Sequence, residues 1–201
     1  MFEIPDTDKK IRAKISSYKS AFNRELKEYG LISDGYGKRY LMFPLLLVLN
    51  DGKKSQEYIN WHDSQFPDDA GEPIQMLCRS LINYRLGSLE QARYELAETM
   101  LSNVYLLPWL TGEDIAIYDM WHTSNFAMIE HCEYIPERVI ESITGEELGW
   151  IGACYNSDRF FKVRTRYIEI FAALNQASDP KERSNLLDES YGLLEGFEKF
   201  N

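Results

Sequence analysis

Four short runs in this chain hold residue types that could do chemistry. Asp119, Trp121 and His122 fall within four positions. On a helix, Asp119 and His122 would share a face and form a charge-assisted pair beside an indole ring. Such a pair reads first as a structural hydrogen bond and second as a ligand contact. Glu130, His131, Cys132 and Glu133 form the next run. Adjacent residues on a helix point about 100° apart, so His131 does not face Cys132 as a base faces a nucleophile. Neither run has the ligand spacing of a zinc site, and no metal site is expected. Gly35-Tyr36-Gly37-Lys38 could cradle a phosphate, but Arg39 follows the lysine where Ser or Thr belongs, and Ile32 stands in place of the first glycine. It reads as a turn. His62 beside Trp61 reads as packing. These runs name no catalytic residue and no cofactor.

The bulk properties exclude several classes of function. The chain has 201 residues and a net charge of −10, which repels phosphate backbones and anionic lipid surfaces alike. Nucleic acid and membrane are therefore not expected partners. A basic protein or peptide is the easier one, although such charge also serves plain solubility. The acids are concentrated between Thr111 and Glu147, where Glu113, Asp114, Asp119, Glu130, Glu133, Glu137, Glu141, Glu146 and Glu147 meet only Arg138. Cys78, Cys132 and Cys154 are odd in number and form no CxxC pair, which reads as free buried thiols in a reducing compartment. The N-terminal residues lack a basic stretch followed by an apolar one, and the most apolar run, Leu41 to Leu49, is too short to span a bilayer. A cytoplasmic protein is expected.

The elements that must position these residues read as helices throughout. Asp6 or Thr7 caps the first, Gly30 stops it, and Ile11, Ile15, Tyr18, Phe22, Leu26 and Tyr29 form its apolar stripe. Its other face is basic, with Lys9, Arg12, Lys14, Lys19, Arg24 and Lys27. Arg39 to Leu49 is rich in Leu and reads as a buried helix, with Pro44 near its start. Lys53–Phe66, Glu72–Leu86 and Leu89–Asn103 follow, the last with Leu89, Ala92, Leu96 and Met100 inward. Beyond Pro108 lies an aromatic loop or short helix to Thr123, then short helices around Pro136. Thr144 with Glu147 makes a capping box, and Asp179-Pro180 with Glu182 opens a last helix with Leu186, Leu187, Tyr191, Leu194 and Phe197 on its apolar side.

Gly52 and Gly87 stand 35 residues apart, each at the turn of a two-helix unit, and a period near 34 marks stacked hairpins. Arg85-Leu86-Gly87-Ser88-Leu89-Glu90-Gln91-Ala92 resembles the turn of a tetratricopeptide repeat. Leu77, Ser80, Leu81 and Tyr84 have the spacing of that family's first helix, although Leu81 stands where a small residue is usual. The segment Ser33–Pro108 also resembles a recurrent bacterial kind of repeat protein with no assigned activity.

The resemblance implies an all-α fold of stacked antiparallel hairpins over residues 36–107. A C-terminal helical extension over 108–201 would pack on the array within one domain spanning 1–201. It also implies a non-enzymatic interaction module that holds a peptide or protein in a groove of first helices, where Tyr40, Gln75, Arg79, Asn83 and Arg85 would lie. Asp119, Trp121 and His122 are added as partner-facing residues. Two rival readings stand beside this one. One is a small-molecule binder or enzyme using the 109–131 region. The other is an immunity or inhibitor protein against a basic toxin.

Overall fold

The structure, a computed structural model, describes residues 2–195 and 197. Among them all regular structure is helical. Helix α1 (Asp8–Tyr29) starts where the Thr7 hydroxyl accepts the Lys10 N–H, and ends where the Gly30 N–H bonds Leu26 O. It buries Ile11, Ile15 and Phe22 against α2 (Lys38–Leu49). Arg12 pairs at 3.0 Å with Asp51, just past the end of α2. Counted from there, α1 outruns its shorter neighbour, and Tyr29, expected on the stripe, is 64 % exposed.

Helix α2 is apolar all round and buried over nearly its whole length, because α1, α3 (Gly52–Gln65), α4 (Pro73–Arg85) and α7 (Glu137–Ser142) all lie against it. Pro44 sits inside this helix rather than in its first turn. An interior proline costs about 3 kcal/mol relative to Ala. Burial of Met42, Phe43, Leu45, Leu46, Leu47 and Leu49 holds the helix regardless.

Helix α4 opens with a capping box of Glu72 and Gln75 and with Pro73 in its first turn. It pairs closely with α5 (Leu89–Ser102). The buried Ser80 hydroxyl donates to Ala92 O at 2.7 Å, a contact that needs a small residue at position 92. The turn between them uses Gly87 at φ +79°, and the Ser88 N–H returns to Asn83 O. Leu89 is 47 % exposed, not inward, since α5 turns its buried face in only from Ala92 onward.

The chain then continues through α6 (Leu106–Thr111) and an irregular stretch to residue 124. Two 3-10 segments, Asn125–Ala127 and Ile129–Tyr134, lead to α7. Helices α8 (Gly145–Tyr155), α9 (Asp158–Gln176) and α10 (Pro180–Tyr191) follow. Helix α7 rests on α2, α8 on α6, and α9 between α5 and α10. Thr144 and Glu147 form the expected capping box, and Asp179 caps α10 through the Glu182 N–H. Tyr191 is 78 % exposed rather than on an apolar face. Phe197 takes the buried place instead, edge-on to Phe160 at 5.3 Å. No helix among the described residues is long and apolar enough to cross a membrane.

Candidate functional site

A chain of polar side chains runs through the α2–α5 region, and four of the predicted partner-facing residues belong to it. It begins at Asp34, buried in the loop before α2, whose carboxylate accepts the Lys38 and Arg39 N–H groups at 2.9 and 2.8 Å. Arg39 reaches back to Asp34 at 3.3 Å and forward to Asp69 at 2.8 Å. Tyr40 donates its hydroxyl to the other Asp69 oxygen at 2.6 Å, and Gly71 adds its N–H at 3.2 Å. Gly71 has φ +72°, and a Cβ there would stand 2.6 Å from the Gln75 side-chain oxygen. The loop therefore needs glycine to keep this oxygen on the Glu72 N–H, where it closes the capping box.

One turn further along α4, on the same face as Gln75, Arg79 forks onto both oxygens of Asp63 at 2.6 and 3.0 Å. Its Nε donates to Glu95 at 2.6 Å. Glu95 also accepts from Asn83 and Gln91, at 2.7 and 3.0 Å. Between these two halves lies His62, 3 % exposed, with Phe43, Tyr58 and Phe66 around its ring. Asp63 stands 3.6 Å from its Nδ1 and Asp69 3.6 Å from its Nε2. Both separations are beyond hydrogen-bond reach, and neither ring nitrogen has a partner.

A recess of about 400 Å³ opens here, lined by His62, Asp63, Asp69, Gln75, Arg79 and Glu95 among others. That is the small end of the range for ligand cavities. Burial lowers the His62 pKa, and the Arg79 charge lowers it further, against weaker opposition from Asp69 and Asp63. Burial alone would raise Asp69, but hydrogen bonds from Arg39 and Tyr40 hold it below the usual range. Burial, with the bond to Asp69, pushes Tyr40 up to about 12.

Gln75 and Asn83, expected on an open groove, are buried at 5 % and 4 % and already engaged. Internal bonding makes Asn83 a support of the network, while Gln75, held on the Glu72 N–H, also lines the recess wall. Arg85 is directed elsewhere. It donates to Leu47 O at 2.8 Å, to Ser142 O at 2.7 Å and to both Glu147 oxygens at 2.6 and 3.1 Å. Tyr84 packs on Trp150 with ring centroids 4.6 Å apart. The α7–α8 segment thus covers the end of the first-helix face where Arg85 lies.

The other predicted trio lies apart from the recess. Residues 113–122 are irregular, not helical, so Asp119 and His122 do not pair. Asp119 accepts from Asn175 at 3.0 Å, Trp121 stacks on Phe171 and under Arg183, and His122 packs on Tyr105. His131 packs between Phe126 and Tyr134, while Cys132 is buried and its thiol pushed up to about 12 by burial. All three cysteines are free and buried. The described residues hold no group of three or more His, Cys, Asp or Glu able to bind a metal.

Asp34, Arg39, Asp63, Asp69 and Glu95 join the site beyond the residues expected there. Glu95 had a signal, since it is a charge set into the buried stripe of Ala92, Leu96, Thr99 and Met100. Asp69 and Asp34 had none, because they are loop acids brought in by the fold. No known protein family, curated protein or solved structure matches the chain.

Proposed function

We propose that the chain is a protein-interaction module, built of tetratricopeptide-like stacked hairpins, that reads a basic segment of a protein partner at the recess between α3, α4 and α5. The observation that carries this is the charge balance of the network around the recess. Asp34, Asp69 and Glu95 supply three carboxylates withdrawn from water and Asp63 a fourth at the half-exposed mouth, while Arg39 and Arg79 supply two guanidinium groups, so the network is short of two positive charges. A negative excess that is partly withdrawn from water is costly unless a cation completes it. A binding role fits better than catalysis, because the charged groups hold one another in fixed ion pairs. The covered first-helix face around Arg85 moves the reading surface away from that end and toward α3 and α5.

The test is position-specific photo-crosslinking in cells. A crosslinking residue at exposed Ala70, on the recess wall, is compared with one at exposed Lys27 on α1. The expected outcome is a product specific to Ala70 whose crosslinked peptide contains Lys or Arg. Identical products from both positions would remove the reading.

A further inference from the structure

We infer that the recess is a pocket for a single cationic side chain of the partner, a guanidinium or ammonium group, received between Asp63, Asp69 and the unprotonated ring nitrogen of His62. This rests on the reading that a basic segment binds there.

The carboxylates at the recess have acceptor capacity to spare. A carboxylate oxygen can accept two hydrogen bonds. Each Asp63 oxygen takes one, from Arg79, and Asp69 Oδ2 takes one, from Arg39. The side chain of Asp63 is 49 % exposed and forms the mouth, while Asp69 at 9 % lies inside. His62 stands between them. A neutral imidazole carries one N–H and one bare lone pair. Here the bare nitrogen faces a carboxylate oxygen, lone pair to lone pair, whichever tautomer is present. Buried polar atoms left in that state are rare in folded proteins. A cation rich in N–H donors satisfies the bare nitrogen and the spare carboxylate positions together, and it supplies missing positive charge.

A proton on His62 is the rival for the same role. The imidazolium would donate toward both Asp63 and Asp69, and it would remove the acceptor that the ligand uses. The charged and titratable groups facing His62 are Asp63 and Tyr58 on its own helix, Asp69 in the following loop, Arg79 on α4, and Arg39 on α2 through Asp69. Glu95 on α5 lies behind Arg79. Burial and then the Arg79 charge push His62 toward its neutral form. Ligand binding is then flat near neutrality and weakens as pH falls through the titration of His62 in the free protein.

The experiment uses the full chain and defined probes: acetyl-Gly-Arg-Gly-amide, its Lys and citrulline counterparts, and spermidine. Affinity is read by calorimetry, and the His62 ring protons by NMR. The Arg or Lys peptide should bind at least about tenfold more tightly than citrulline, its neutral isostere, and should shift the His62 ring signals. Affinity should fall about tenfold per pH unit below the His62 titration. His62→Gln, with its fold checked by circular dichroism, should keep the Arg-over-citrulline preference and lose that pH dependence. Equal binding of Arg and citrulline peptides, or unmoved His62 signals, would mean that the recess holds only solvent. Tighter binding of spermidine than of either cationic peptide would overturn the assignment to a partner side chain. A partner crosslinked from Ala70 without Arg-over-citrulline preference leaves the module standing and removes the pocket. Preference without a crosslinked partner does the reverse.

Discussion

Glu147 shows how much one buried carboxylate does in this chain. It accepts from Nε and Nη2 of Arg85, and it closes the capping box at Thr144 by taking the Thr144 N–H at 2.8 Å. It is only 2 % exposed. Burial by itself would raise its pKa, but the Arg85 bond and the Thr144 N–H outweigh it and hold the pKa low. A carboxylate depressed on folding adds stability above its unfolded value of about 4.3, and that stability is lost as pH falls through the folded value. Glu147→Gln should cost about 3 kcal/mol at pH 7, because Arg85 is left without its charge partner. It should also flatten the acid limb of a urea-denaturation series run from pH 7 down to pH 3. An unchanged midpoint at pH 7 would show that Ser142 and Leu47 suffice for Arg85. Glu147 was legible as a cap, since Thr-x-x-Glu is a local signal, but its bond to Arg85 spans 62 residues and leaves no local mark. The same holds for His62. Its neighbour Trp61 announces packing, whereas Asp69 comes from a loop beyond the end of its helix.

At the scale of elements, periodicity and caps carried most of what was readable. The starts of α1, α4, α8 and α10 have side-chain or proline signals within a few residues, and their ends follow from Gly and polar turns. Residues 113–134 lack both signals, and there the chain is irregular or 3-10 with its rings placed by distant neighbours. Stripes also mislead at their ends, as Tyr29, Leu89 and Tyr191 show, because a stripe says which face is apolar and not how far the covering element extends. The α4–α5 hairpin gives the sharpest test. Ala92 is fully buried where the Ser80 hydroxyl meets its carbonyl. Ala92→Leu should destabilise the protein by about 1–3 kcal/mol through overpacking. A fluorescence-monitored urea melt would read this, and a loss below about 0.5 kcal/mol would show that the two helices can separate cheaply.

For the whole molecule, the hairpins and the C-terminal helices are not separable layers. Helix α2 takes cover from α1 on one side and α7 on another, and Arg85, which bonds Leu47 O within the hairpins, takes its ion-pair partner Glu147 and the Ser142 carbonyl from beyond them. An excised fragment of residues 36–107 should therefore fail to fold cooperatively. Circular dichroism would show weak helix content and no sigmoidal melt, whereas a sharp transition would establish the hairpins as autonomous. The acids crowded between 111 and 147 divide in the same way. Glu146 and Glu147 bind the hairpins, Glu113 and Asp119 bind later helices, and Asp114, Glu130, Glu133, Glu137 and Glu141 remain exposed. The link from Arg85 to Glu147 also bears on the order in which the protein can be made. A ribosome adds about 5–20 residues per second, so 62 residues correspond to roughly 3–12 s. For that interval the nascent chain carries a guanidinium without its carboxylate partner and a leucine-rich helix that α7 does not yet cover. The protein's window of exposure to chaperones is thus set by the distance along the chain to its own closing segment.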